Sequence, residues 1–157
     1  PSASYQMRIG GTMITSIRGQ VGWTSTSDAR VKENIKENVP GLSFITKLRP
    51  VTYTINTKKQ DEFLIQNQSD SMKVKLMLPE SEYDASSSIV RTGFIAQEVE
   101  KVANELGFDF DGVDTPQNEN SLYGIRYAEF VVPLVKAIQE QQALIENLQK
   151  RLEELEE

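Results

Sequence analysis

The chain has 157 residues, 38% hydrophobic and 25% charged, which suits one modest globular domain plus an elongated element. Its formal net charge of -6 leaves no basic stripe to neutralise phosphates, so nucleic acid is not an expected partner. With no Cys and no His it excludes Cys/His zinc sites, Ser-His-Asp triads and Cys-His dyads, leaving Ser or Thr with Lys, Asp or Glu for any nucleophilic chemistry.

No run of 18 apolar residues and no basic-then-apolar leader occurs, so neither a membrane span nor a signal peptide is expected in this piece. The start at Pro1 reads as the C-terminal part of a longer protein. Residues 1–26 are rich in Ser, Thr and Gly, with Tyr5, Met7 and Ile9 alternating with polar residues and Met13 and Val21 doing so less clearly. They predict short strands and turns, too few residues to bury a core alone, packing against neighbouring chains or upstream sequence. Trp23, beside Gly22, reads as a packing residue.

From Ser27 the pattern changes. Ser27 or Asp28 caps a predicted helix in which Val31, Ile35 and Val39 recur at every fourth position before Pro40-Gly41 stops it. Leu42, Ile45 and Leu48 predict a second short helix ending before Pro50, and Val51–Ile55 alternates as a strand with one buried face. Over 56–90, Phe63-Leu64-Ile65 and Val74–Leu78 predict a pair of strands, with Ser69–Ser71 and Ser86–Ser88 as loops. Ala96–Leu106 predicts a helix with Val99, Val102 and Leu106 on one face and Gly107 as its C-terminal cap. Residues 108–120 predict an acidic loop. Asp109, Asp111 and Asp114 lack the spacing of a calcium loop and read as a solvated turn, so no metal and no cofactor is called for. Ser121–Arg126 predicts a short strand.

A long helix follows from Tyr127 to the end, with Pro133 tolerable only in its first turn. Leu134, Ile138, Gln141, Ile145, Leu148, Leu152 and Leu155 alternate steps of four and three, with Ile138, Ile145 and Leu152 at position a and the rest at d. Six of the seven are apolar, and a seam of this kind is buried by other helices in a coiled coil. A helix of about 30 residues spans about 45 Å, more than the width of so small a domain, which argues against folding back along its whole length. Ile at a with Leu at d favours dimers, whereas Ala137 and Leu144 at g widen the stripe towards a third strand; periodicity leaves both open. The expected class is α+β: a short upstream β-rich segment (1–26), a small mixed domain (27–126) and a parallel coiled-coil helix (127–157).

Four segments, SDARVKENI at 27–35, LRPVTYTI at 48–55, GFIAQEVEKV at 93–102 and YAEFVVPLVKAIQEQQ at 127–142, stand in the order found in the intramolecular chaperone domains of phage endosialidases and tail fibres, the S74 peptidase family, which the chain resembles. The resemblance implies a homotrimer that templates the folding of an upstream β-fibre segment of the same chain and then releases itself between Thr26 and Ser27. It also implies a phage tail fibre or spike as the setting, or a bacterial surface or secreted protein, since those carry the same module.

On that reading Ser27 is the nucleophile and Lys32 its base. A Lys of ordinary pKa, about 10.4, is neutral roughly once in a thousand at pH 7.4, so burial or a nearby cation has to help; Arg30 is a candidate for that cation or for the oxyanion. Five residues turn a helix by about 500°, which puts Ser27 and Lys32 on different faces. Ser27 must then lie at or before the cap with Lys32 reaching back, or Lys32 comes from a neighbouring chain. Free N–H groups of the first turn are natural oxyanion donors. Asp28 is a candidate supporting residue, read as a cap ahead of a catalytic acid, and the competing reading of the whole set is a capping Ser27 or Asp28 beside a solvated Lys32. In function, the alternatives are a non-cleaving trimeric end-cap or surface-binding module, and a conventional Ser-Lys hydrolase, for which no substrate-pocket signature is visible.

Overall fold

The computed structural model describes residues 13–156 apart from Thr15. Tyr5, Met7 and Ile9, on which the upstream strands rest, lie outside the described residues. Over 16–26 no strand forms: these residues are irregular and exposed, including Val21 and Trp23, which is 88% exposed instead of packed. The rest is a mixture of helices and small sheets ending in a long helix, organised as two compact units.

One unit combines the residues up to Asn34 with Tyr53–Arg91. The strand pair expected over 56–90 is replaced by three helices, α2 (Thr57–Leu64), α3 (Asp70–Leu76) and α4 (Glu80–Ser87). Asn56 starts α2 by accepting the Lys59 N–H at 2.8 Å. Asp70 opens α3 while Lys73 and Lys75 close it, matching the helix dipole. The two serine loops are instead helix ends. The buried Tyr83 hydroxyl accepts the Leu78 N–H at 3.0 Å and donates to Asp61 at 2.9 Å, tying α4 to α2, and burial pushes its phenol pKa up. Buried Thr57 adds a contact to Ser87, Oγ1 to Oγ 3.1 Å. Long-range polar contacts of this sort override the weak strand preference of short apolar runs.

The other unit holds Ile35–Thr52 and Thr92 onward. It contains α1 (Leu42–Ile45), α5 (Ala96–Glu105), β3 (Val113–Asp114), β4 (Gly124–Ile125), a 3-10 turn at Tyr127–Phe130 and α6 (Val131–Glu156). β1 (Val51–Tyr53) pairs with β2 (Arg91–Gly93) in a two-stranded sheet that does not belong to this unit alone, and Val51–Ile55 alternates half-buried and exposed as its pattern requires. β3 and β4 pair antiparallel with Val113 opposite Ile125, so the acidic loop contains a strand that its charge conceals. The core is aromatic: Phe44, Phe94, Phe108, Phe110 and Phe130 interlock with ring centroids 4.9 to 6.4 Å apart, around Val99 and Ala103. Gly107 ends α5 with φ +61°, the left-handed cap its position predicts, and the Phe108 N–H returns to Ala103 O at 2.9 Å.

Along α6, Pro133 and Ala137 are buried and Glu140 is half-buried. The Glu140 carboxylate accepts the Leu42 N–H at 2.7 Å, capping α1 from the far end of the sequence. A Cβ on buried Gly41 would lie 2.7 Å from the Ala137 backbone N, so this crossing requires glycine. Ala137 therefore packs on its own domain and does not widen the seam. The seam residues themselves stay uncovered: Leu134, Ile138, Ile145, Leu148, Leu152 and Leu155 are all exposed, as is Gln141.

Candidate functional site

The helix expected from Ser27 to Val39 does not form. Ala29–Val31 makes a single 3-10 turn, and Asn34 takes φ 53°, a left-handed conformation that Asn tolerates and a continuing helix does not. The periodic Val31 and Ile35 are 70% and 74% exposed, so no surface in one chain rewards a helix here.

What the segment builds instead is a compact loop. Asp28 and Lys32, on either side of the turn, are both extended, each with ψ 129°. Asp28 Oδ1 accepts the Arg30 N–H at 2.9 Å, Asp28 O accepts the Val31 N–H at 3.1 Å and Ala29 O accepts the Lys32 N–H at 3.3 Å. The Lys32 side chain then folds back and Nζ donates to Ser27 Oγ at 2.8 Å. A short turn bracketed by extended residues closes a five-residue gap that a regular helix would have held open.

Arg30 does not join that pair. Its guanidinium lies on Asp28, with Nε 3.0 Å from both carboxylate oxygens and Nη2 2.5 Å from Oδ2. These bonds, and then the Arg30 backbone N–H, hold the Asp28 carboxyl below the usual carboxylate range. Arg30 is thus committed to Asp28, and the Arg30 and Val31 N–H groups are occupied and not free oxyanion donors. Ser27, Lys32 and Arg30 are exposed, Asp28 is half-exposed, and Thr26, on the other side of the bond in question, is exposed and irregular.

Among the described residues no group of acidic side chains is arranged to hold a metal. Asp114 pairs with Arg126 at 2.7 Å, and the same guanidinium reaches Asp111 O at 2.5 Å, so this acidic turn is braced by the residue that follows β4. No helix among the described residues is long and apolar enough to cross a membrane. Asp28 is a cap, as its position before the turn led one to expect, although it caps a 3-10 turn and not a helix; the Glu140 cap on α1, 98 residues away in sequence, was not separable from ordinary surface charge.

A family model, Peptidase_S74, described as chaperone of endosialidase, matches residues 27–108, beginning at Ser27 and spanning the loop just described. No curated protein matches the chain.

Proposed function

The chain belongs to the Peptidase S74 family of endosialidase chaperones, and from that premise we propose that it is an intramolecular chaperone that trimerises, templates an upstream β-fibre segment of its own chain, and severs itself between Thr26 and Ser27. The observation that carries the cleavage is the 2.8 Å contact of Lys32 Nζ with Ser27 Oγ. As it stands the amine donates. Once neutral, it accepts the Ser27 proton along the same line. Oγ then attacks the Thr26 carbonyl carbon, the Ser27 nitrogen leaves as it takes a proton from the Lys32 ammonium, and an ester joins Thr26 to Ser27. Water hydrolyses that ester, leaving a Thr26 carboxylate and a restored Ser27 hydroxyl. Nucleophile and scissile carbonyl are neighbours in one chain, so proximity replaces a substrate pocket. The reaction is single-turnover.

Assembly rests on α6. Its Pro133-Ala137-Glu140 stripe is used within the chain, while the seam from Leu134 to Leu155 is exposed and free for other copies. Val31 in the turn, and Val21, Trp23 and Ile35 before and after it in sequence, are exposed as well. Their burial between chains would dry the surroundings of Lys32 and favour the neutral amine. The setting that fits is a phage tail fibre or spike, or a bacterial surface protein, with no nucleic-acid or membrane partner for this segment.

Intact-mass spectrometry tests the cleavage: the expected product begins at Ser27, and an undivided chain of 17.7 kDa would leave the non-cleaving trimeric end-cap as the function. Sedimentation equilibrium tests the assembly, with three times the mass of the chain or its fragment expected. A monomer would refute the assembly, and a dimer would mean that the Ile/Leu seam preference prevails.

A further inference from the structure

We propose that Asp28 is a positioning residue for self-cleavage, its carboxylate holding closed the turn that brings Lys32 onto Ser27; the role rests on the cleavage reading above. Among the described residues, the side-chain hydrogen bonds made by residues 27–39 are those of Asp28 with Arg30 and of Lys32 with Ser27. Residues 29–38 are all exposed and the turn buries nothing, so packing within the chain does not hold this loop. Its shape is set locally. Asp28 contributes two of the three acceptors that close it, the side-chain Oδ1 for Arg30 N and the carbonyl for Val31 N.

That closure matters because of Lys32. A lysine side chain has four rotatable bonds, and its amine sweeps a large volume unless the backbone beneath it is fixed. Holding Ala29–Val31 as a 3-10 turn fixes the point from which the side chain departs and raises the effective concentration of the amine at Oγ. The carboxylate is not placed to act on the reacting atoms: its oxygens are taken by Arg30, and its bonds run to that residue and not to Ser27 Oγ. The same bonds keep the guanidinium on Asp28. The side chain therefore works through the turn, as a neutral acceptor of the same reach would.

The test follows the cleaved fraction of the full chain after pulse-labelled translation, with melting and sedimentation measured alongside. Asp28→Ala removes the side-chain acceptor and should slow cleavage about tenfold, the effect of losing one good cap. Asp28→Asn and Asp28→Ser keep an acceptor and should stay within about threefold of the wild type. Arg30→Ala keeps the backbone N–H and loses only an exposed ion pair, so it should slow cleavage less than Asp28→Ala does. Melting and oligomeric state should be the same across the series. Wild-type speed in Asp28→Ala beside an uncleaved Ser27→Ala overturns the positioning role alone. So does an Asp28→Asn or Asp28→Ser as slow as Asp28→Ala. Cleavage of Ser27→Ala would overturn the cleavage reading and this role with it.

Discussion

Ser27 and Lys32 are held by so few atoms that single substitutions separate their roles. Ser27→Ala removes the oxygen proposed to attack, and Lys32→Ala removes the amine 2.8 Å from it, so on the proposed mechanism both should leave a full-length chain by intact mass while sedimentation is unchanged. Lys32→Arg is the sharper test. Arginine spans a similar distance and donates to Oγ, but it does not deprotonate at working pH. An uncleaved Lys32→Arg marks the amine as a base; cleavage at normal speed would reduce it to a hydrogen-bond donor. pH gives an independent handle on Asp28. Its carboxyl is held below the ordinary range by Arg30, so what it contributes is present above the unfolded value of about 3.9 and lost as pH falls through the folded one. From pH 5.5 to 9 the residue stays ionised, and the ratio of wild-type to Asp28→Asn cleavage rates should be flat across that range. A ratio that changes with pH there would show a proton moving on Asp28 itself.

At the scale of elements, the crossing of α1 and α6 is the contact most sensitive to a single atom. Gly41→Ala places a methyl 2.7 Å from the Ala137 backbone N and from the Glu140 carboxylate, and backbone does not step aside cheaply. The expected loss is about 1–3 kcal/mol, seen as a lower urea midpoint. In the other unit, Tyr83→Phe keeps the ring but strips the Leu78 N–H and Asp61 of their shared partner, and should cost about 1–2 kcal/mol. These sites also mark where the sequence could be read and where it could not. α5 and its Gly107 cap were legible because the signals are local: a 3.6-residue apolar face and a residue suited to positive φ. β1 was legible for the same reason, one face alternating over five residues. The helices α2 to α4 were not, because Phe63-Leu64-Ile65 is as compatible with a strand as with a helix, and Thr57 and Tyr83 meet partners 30 and 22 residues away that a local reading does not reach. The false helix after Ser27 has the opposite cause. Its every-fourth-residue pattern is real, but with Val31 and Ile35 uncovered in the chain the pattern had nothing to fold against, and Asn34 broke the run. The pairing of Ser27 with Lys32 could be named from spacing and family resemblance; the 3-10 turn that makes it geometrically feasible could not.

For the whole molecule, assembly and cleavage should stand or fall together if packing between chains is what dries the loop. Replacing Ile145 and Leu148 together by Asp puts like charges into adjacent seam layers and should dissociate the chains. Both residues are exposed in one chain, so the two units should still fold. Cleavage should then drop at least tenfold with the sequence around Ser27 untouched. Full-speed cleavage in a demonstrated monomer would show that the site is complete in one chain. The division of α6 has a wider consequence. Its intrachain contacts end near Glu140, and every described residue from 141 onward is exposed, a free arm of about 24 Å. Heptads can be added to or trimmed from that arm without disturbing the aromatic core or the cap on α1. If α6 joins copies of the chain as proposed, the strength of association becomes a dial mounted outside the domain, one that lineage or engineer can turn in seven-residue clicks, and the rate of cleavage should turn with it.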